Sequence, residues 1–127
     1  MKPQLHTFLC LTLILCLLIM SPSTSTAQLQ ISIDSIASQM GEQVAVCSRV
    51  YGIHGTKGVK PVTFLNLGAD YPNQKLTIVI FHKDAVNFTF VPSDHYKNQN
   101  VCVNGELSLY KERPQIIIRN EAQIVNK

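Results

Sequence analysis

The chain has 127 residues and a formal net charge of +3, with 15% charged and 46% hydrophobic residues. That charge is too weakly positive for a dedicated duplex-DNA binder. The length allows one domain of ordinary size.

The chain opens with Lys2 and His6, then a nearly unbroken apolar run from Phe8 to Met20, then small and polar residues from Ser21 to Ala27. A basic start, an apolar stretch and a small-residue cleavage point make a secretory signal peptide. Ser25 and Ala27 suit the −3 and −1 positions, so cleavage is expected after Ala27. The run is about 13 residues, short of the ~20 that span a bilayer. An uncleaved anchor is the other reading. The expected layout is a signal peptide at 1–27 and one domain at 28–127, secreted or periplasmic, with no stable membrane insertion after cleavage. Loss of Lys2 lowers the net charge to about +2, which neither demands nor excludes an anionic partner. Two of the four cysteines fall in the signal, leaving Cys47 and Cys102.

Residues 28–39 begin with alternation at Leu29, Ile31 and Ile33, which Ile36 breaks. A short strand or a helical turn fits. Residues 43–51 alternate cleanly, with Val44, Val46, Ser48 and Val50 on one face and Ala45, Cys47, Arg49 and Tyr51 on the other. That period of two predicts a half-buried antiparallel strand. Residues 52–60 hold three glycines with Lys57 and Lys60, and read as an exposed loop. A phosphate-cradling loop would lead into a helix, whereas here the next element is a strand.

Residues 61–82 predict a hairpin. Val62 to Leu67 suits a strand, Gly68, Asp70, Pro72 and Asn73 supply turn chemistry, and Leu76 to Phe81 is continuously apolar like a buried strand. Residues 83–98 predict a compact connector with a helical turn or two, which Ser93 or Asp94 would cap. Phe88, Phe90 and Tyr96 would plug one end of the core. Residues 100–110 alternate again. Asn104-Gly105 is either a two-residue hairpin turn or a bend within one long strand; the bend is favoured because Lys111-Glu112 offers a better turn ahead. Arg113 to Arg119 makes the last strand, and residues 120–127 a tail that tucks in Ile124.

Five strands with a helical connector between the third and fourth match the order of the OB-fold, a five-stranded all-β Greek-key barrel. With V-A-V-C-S-R-V, T-F-L-N-L-G, L-T-I-V-I-F, V-C-V-N-G-E-L and R-P-Q-I-I-I in those strands, the chain resembles bacterial OB-fold nucleic-acid-binding domains of the anticodon-binding type. The resemblance covers residues 42–123. It implies that Phe64 serves as a base-stacking platform and that Thr77 hydrogen-bonds the same base. Thr77 stands where anticodon binders carry glutamine, and Gly68 and Ala69 replace a basic–acidic pair. The resemblance therefore implies a general binder rather than an anticodon reader.

Single strands are held by stacking on aromatics within a positive groove. Phe64, Tyr51, Tyr71 and Tyr110 supply rings, and Arg49, Lys57, Lys60, Lys75 and Arg113 supply charge. The alternative is that Phe64 fills the interior, as alternate residues of a small barrel must. Cys47 and Cys102 fall on strands that become neighbours in the OB order, with matching parity; a disulfide is expected there, two free thiols being the alternative. His54, His82 and His95 are scattered, without the spacing of a metal site. No nucleophile with an orienting partner stands out, and neither a cofactor nor an enzymatic activity is expected. The expected function is an exported module for single-stranded nucleic acid with little sequence specificity; the alternative is a module for protein or oligosaccharide.

Overall fold

The computed structural model describes Pro22 and residues 28–127. The expected signal peptide at 1–27, apart from Pro22, lies outside the described residues. The elements are β1 (Leu29–Ile31), a 3-10 helix (Ile33–Gln39), β2 (Gln43–Gly55), β3 (Thr63–Leu67), β4 (Leu76–Ile80), α1 (His82–Ala85), α2 (Pro92–His95), β5 (Asn100–Glu106), β6 (Ser108–Tyr110), β7 (Arg113–Ile117), a second 3-10 helix (Glu121–Gln123) and β8 (Ile124–Asn126). They form one eight-stranded sheet in the order β6-β7-β4-β3-β2-β5-β8, with β1 added on β2. The β1–β2 and β4–β7 pairs are parallel and the rest antiparallel.

Two expectations are corrected. The sheet has eight strands where five were expected, and its ladder is an open path rather than a closed barrel. The expected fourth strand is interrupted at Leu107, which turns its hydrogen bonds toward the chain ahead of β2: its N–H donates to Glu42 O at 3.0 Å, and its carbonyl accepts from Gly41 N at 2.8 Å. β5 and β6 are thus two stretches of one bent strand, the first pairing with β2 and the second with β7. β1 and β8 come from the lead-in and the tail, which extend the sheet along β2 and β5.

β2 is longer than its alternation suggested. Residues 43–49 pair with β5, and residues 50–55 pair with β3. Between Val50 and Gly52 the register against β3 shifts, so two steps on β2 oppose one on its partner. This β-bulge at Tyr51 inverts the parity of residues 52–55. Val44, Val46 and Val50 point into the core before it, and Ile53 packs on the core after it.

The core gathers the inward residues of every major strand, among them Leu65, Leu67, Ile78, Ile80, Val101, Val103, Ile116 and Ile118. Gly105 permits close packing: a Cβ there would stand 2.4 Å from Ile116 Cγ2. The bend reading of Asn104-Gly105 therefore holds. Phe88 and Tyr96 are buried with Phe90 against them, in edge-on contacts at 6.0 and 5.5 Å, as the expected plug. Neither Ser93 nor Asp94 caps α2; the helix starts on Pro92, after an extended Val91, where the fixed φ of proline suits a first turn.

Cys47 and Cys102 face each other across β2 and β5 and form a disulfide. Both point away from the valine core. The bond clamps the half of β2 that does not carry β3. Replacing both cysteines with alanine is expected to lower stability by roughly 2–4 kcal/mol, read from urea midpoints with and without reductant. A free-thiol count of two on the oxidised protein spanning residues 28–127, which carries only these two cysteines, would contradict the pairing.

Burial, with the charge of Glu121 adding to it, pushes the Tyr96 phenol from 10.0 up to about 12. Its hydroxyl donates to Ile124 O at 3.3 Å. The unfolded phenol ionises from about pH 10 while the folded one stays neutral, so this contribution is intact below pH 10 and lost as pH rises toward 12. Tyr96→Phe should flatten the alkaline loss of stability over that window, measured as urea midpoint against pH.

Candidate functional site

Alternation gives β3, β4 and β7 two faces. One carries the core. On the other, register places side chains in rows, one per strand, about 4.8 Å apart. The first row runs Gly52, Asn66, Thr77 and Gln115. The second runs His54, Phe64, Val79 and Ile117. A polar row thus lies beside a largely apolar one, and a cleft of about 760 Å³ opens over Asn66, Thr77 and Gln115 of the first and His54 and Phe64 of the second.

His54 and Phe64 are cross-strand partners with rings stacked at 6.3 Å and 20°. Phe64 is half-buried and outside the core cluster, so the reading that it fills the interior is excluded. Val79, only 3% exposed yet also outside that cluster, continues the same row. A flat ring pair held by two backbones is a preformed stacking surface.

Two lips border the cleft. One is the β3–β4 connection, carrying Asp70, Tyr71 and Gln74; the other is the β6–β7 turn, carrying Tyr110, Lys111 and Arg113. Arg113 Nη1 donates to Pro72 O at 3.1 Å and ties the lips together. Tyr71 and Tyr110 are 73% and 61% exposed, as rings free to take a ligand. Lys111 lies over the Tyr110 ring at 5.5 Å.

The Asp70 carboxylate folds back over the sheet. Its Oδ1 accepts from Asn66 Nδ2 at 3.3 Å and from Tyr71 N at 2.7 Å. Asn66 beneath it is only 4% exposed although it lies on the outer face. The seat exists because residue 52 is glycine: a Cβ there would stand 1.8 Å from Asp70 Oδ1.

Of the expected binding residues, Phe64, Thr77, Tyr71, Tyr110 and Arg113 line this cleft, while Arg49, Tyr51, Lys57, Lys60 and Lys75 do not. Arg49 lies over the Tyr51 ring at 5.8 Å. Lys75 is ion-paired with Asp34 of the first 3-10 helix. Lys57 and Lys60 stand exposed in the β2–β3 loop, just past the His54–Phe64 pair. Sequence reasoning missed His54, Asn66, Asp70, Lys111 and Gln115. Parity with Phe64 and Thr77 could have found Asn66; the bulge hides His54 from any such count.

No family model matches the chain, and no curated protein matches it in sequence. In fold it is similar to the crystal structure of yeast Stn1 and Ten1, with a TM-score of 0.56 at 12% identity over 83% of this chain and 65% of that one. A chain described as an aspartyl-tRNA synthetase from Leishmania major Friedlin matches with a TM-score of 0.44 at 13% identity, over 84% of this chain and 22% of that one. The chain spans less than two thirds of either. The first likeness shows an OB-like fold. Among the described residues, no three histidine, cysteine or acidic side chains stand together as a metal site, and no helix is long and apolar enough to cross a membrane.

The lip that carries Lys111 is strained. Lys111 and Glu112 both have positive φ, 47° and 64°, in a two-residue turn between paired Tyr110 and Arg113. Such turns favour glycine and asparagine because a Cβ disfavours that backbone. Glu112→Gly is expected to raise stability by up to about 1 kcal/mol, read from urea midpoints.

Proposed function

We propose that this chain is an exported OB-like module that binds single-stranded nucleic acid without chemistry and with little sequence specificity overall. One observation carries the reading: a cleft on the β2–β3–β4–β7 face combines the stacked His54–Phe64 pair with exposed Tyr71 and Tyr110 and with Lys111 and Arg113 at its edge. Bases offer flat π-faces of any sequence to such rings, and phosphates seek the cations. Phe64, Thr77, Tyr71 and Arg113 would contact the strand in the cleft. Lys57 and Lys60 would meet its backbone beyond the ring pair, and Arg49, Tyr51 and Lys75 fall to lesser roles on the flanks. The fold shared with the Stn1–Ten1 structure supports the scaffold. The Cys47–Cys102 disulfide and the signal-like residues 1–27 support export.

A second reading has its own support. The row of Asn66, Thr77 and Gln115 beside tyrosine rings also suits sugar hydroxyls, as in an oligosaccharide-binding module. Salt separates the two. Single-strand affinity should fall with log salt at a slope of roughly −1.4 if two phosphates are neutralised and −2.8 if four are, whereas sugar binding should hardly respond.

The test is a fluorescence titration of labelled single-stranded DNA and RNA against wild type and Phe64→Ala, at low and raised salt. Loss of one stacking surface worth ~1–3 kcal/mol should weaken binding about 5- to 150-fold. Absence of binding by either protein at low salt would remove the nucleic-acid reading.

A further inference from the structure

We propose that the cleft selects guanine at the nucleotide stacked on His54–Phe64, and that the Asp70 carboxylate reads its Watson–Crick edge. The proposal rests on the nucleic-acid reading above and deepens it to one base.

A carboxylate stands where a general binder should have none. The cations Lys111 and Arg113 sit on one lip, while the exposed Asp70 sits on the other, folded over Asn66 of the cleft floor. A phosphate brought there would meet a like charge. The backbone of a bound strand is therefore directed along the cationic rim, and its base is turned inward toward the acid.

The carboxylate is also built into its place. Asn66, at 4% exposure, donates to it from below, and the Tyr71 N–H donates from the side. Gly52 leaves the space it fills: Oδ1 and Oδ2 lie 1.8 and 2.9 Å from where a Cβ would stand. A plain turn aspartate needs the Tyr71 contact alone. The glycine beneath it and the buried amide against it hold the acid over the sheet, beside the ring platform. Among the described residues both bonds to the carboxylate go to Oδ1, which leaves Oδ2 to a ligand.

A carboxylate only accepts hydrogen bonds. It rewards a base edge with adjacent donors and repels one led by carbonyl or ring-nitrogen acceptors. Guanine presents N1–H and the N2 amine side by side. Adenine and cytosine each place a ring acceptor beside their one amine, and uracil or thymine flanks its single N–H with two carbonyls. Gln74, on the same lip, also lines the cleft, and its Oε1 is a buried acceptor with no hydrogen-bond partner among the described residues. Unpaired acceptors make a site reject analogues that lack the donor.

The experiment uses thymidine nonamers with one central position varied among dG, dA, dC, dT and deoxyinosine, titrated against the oxidised protein at low salt. Wild type should bind the dG strand at least ~10-fold tighter than the dA, dC and dT strands. The inosine strand, which keeps N1–H and lacks the N2 amine, should fall between. Asp70→Asn should bring all five strands to within about twofold. Gly52→Ala displaces the acid without removing it and should do the same; circular dichroism and thermal melts confirm that both variants fold. Equal affinity of wild type for all five strands overturns the guanine assignment while the nucleic-acid reading stands. A dG preference that survives in folded Asp70→Asn overturns the role of Asp70. Failure of every strand to bind removes the nucleic-acid reading and this inference with it.

Discussion

β2 carries three ladders at once. Its first half pairs with β5 on one side and β1 on the other, and its second half pairs with β3. One strand can serve both halves of a curled sheet only if it bends, and the β-bulge at Tyr51 marks the point where the register changes. Ser48, just before it, has its hydroxyl against Gly68 N at 3.2 Å, which pins the end of β3 to the bend. The inverted parity then decides the site. Gly52 and His54 turn to the outer face that Val44 and Val46 avoid, so the space beneath Asp70 and the ring beside Phe64 both come from one irregularity in one strand. A β2 without the bulge would put Ile53 outside, His54 inside and no glycine under the acid.

The two faces of β3 and β4 divide the work. Leu65, Leu67, Ile78 and Ile80 are almost wholly buried and hold the curl together. Removing any of these as a large-to-small change would cost on the order of 2–5 kcal/mol, so the core face has little freedom to vary. The outer face repeats the same spacing with Asn66, Phe64 and Thr77, whose side chains add less to stability and are free to serve a ligand. The disulfide lies on the other half of β2. The clamp and the cleft thus occupy opposite ends of the strand that joins them, and covalent stabilisation at one end leaves the other open.

Much of the fold was legible because alternation is a direct print of a half-buried strand. Residues 43–50 and 100–106 could be placed by parity alone, residues 63–67 by strand-forming composition ahead of a turn, and parity also put Cys47 and Cys102 on one face. The Lys111-Glu112 turn was readable from the strands it separates. The bulge was not, because it costs one residue and leaves no change in composition; the alternation simply stops at Tyr51, which reads as the end of a strand. β1 and β8 are three residues each, too short for a period to show. In the site, Phe64 and Thr77 were reachable from the resemblance. Asp70 was read as a turn former, which it also is, since Asn73 N donates to its carbonyl at 2.8 Å. The basic residues were the least legible. A lysine takes whatever acid the fold brings near it, and Asp34, 41 residues before Lys75, is invisible to local reading.

The placement of the cations governs how a ligand would be held. The cleft itself has two, Lys111 and Arg113, against one acid, Asp70. A balance of about one positive charge gives weak long-range attraction, and salt screens it beyond ~8–10 Å. Affinity must then come from contact: rings already flat and paired on two strands, with little ordering entropy left to lose. Rigid aromatic platforms bind well for that reason. The exposed loop with Lys57 and Lys60 adds charge outside the cleft and suits a backbone of any sequence. The division would leave sequence tolerance to the Lys57–Lys60 loop and discrimination to the cleft, where Gly52 and Asn66 of the sheet seat the Asp70 carboxylate of the β3–β4 connection.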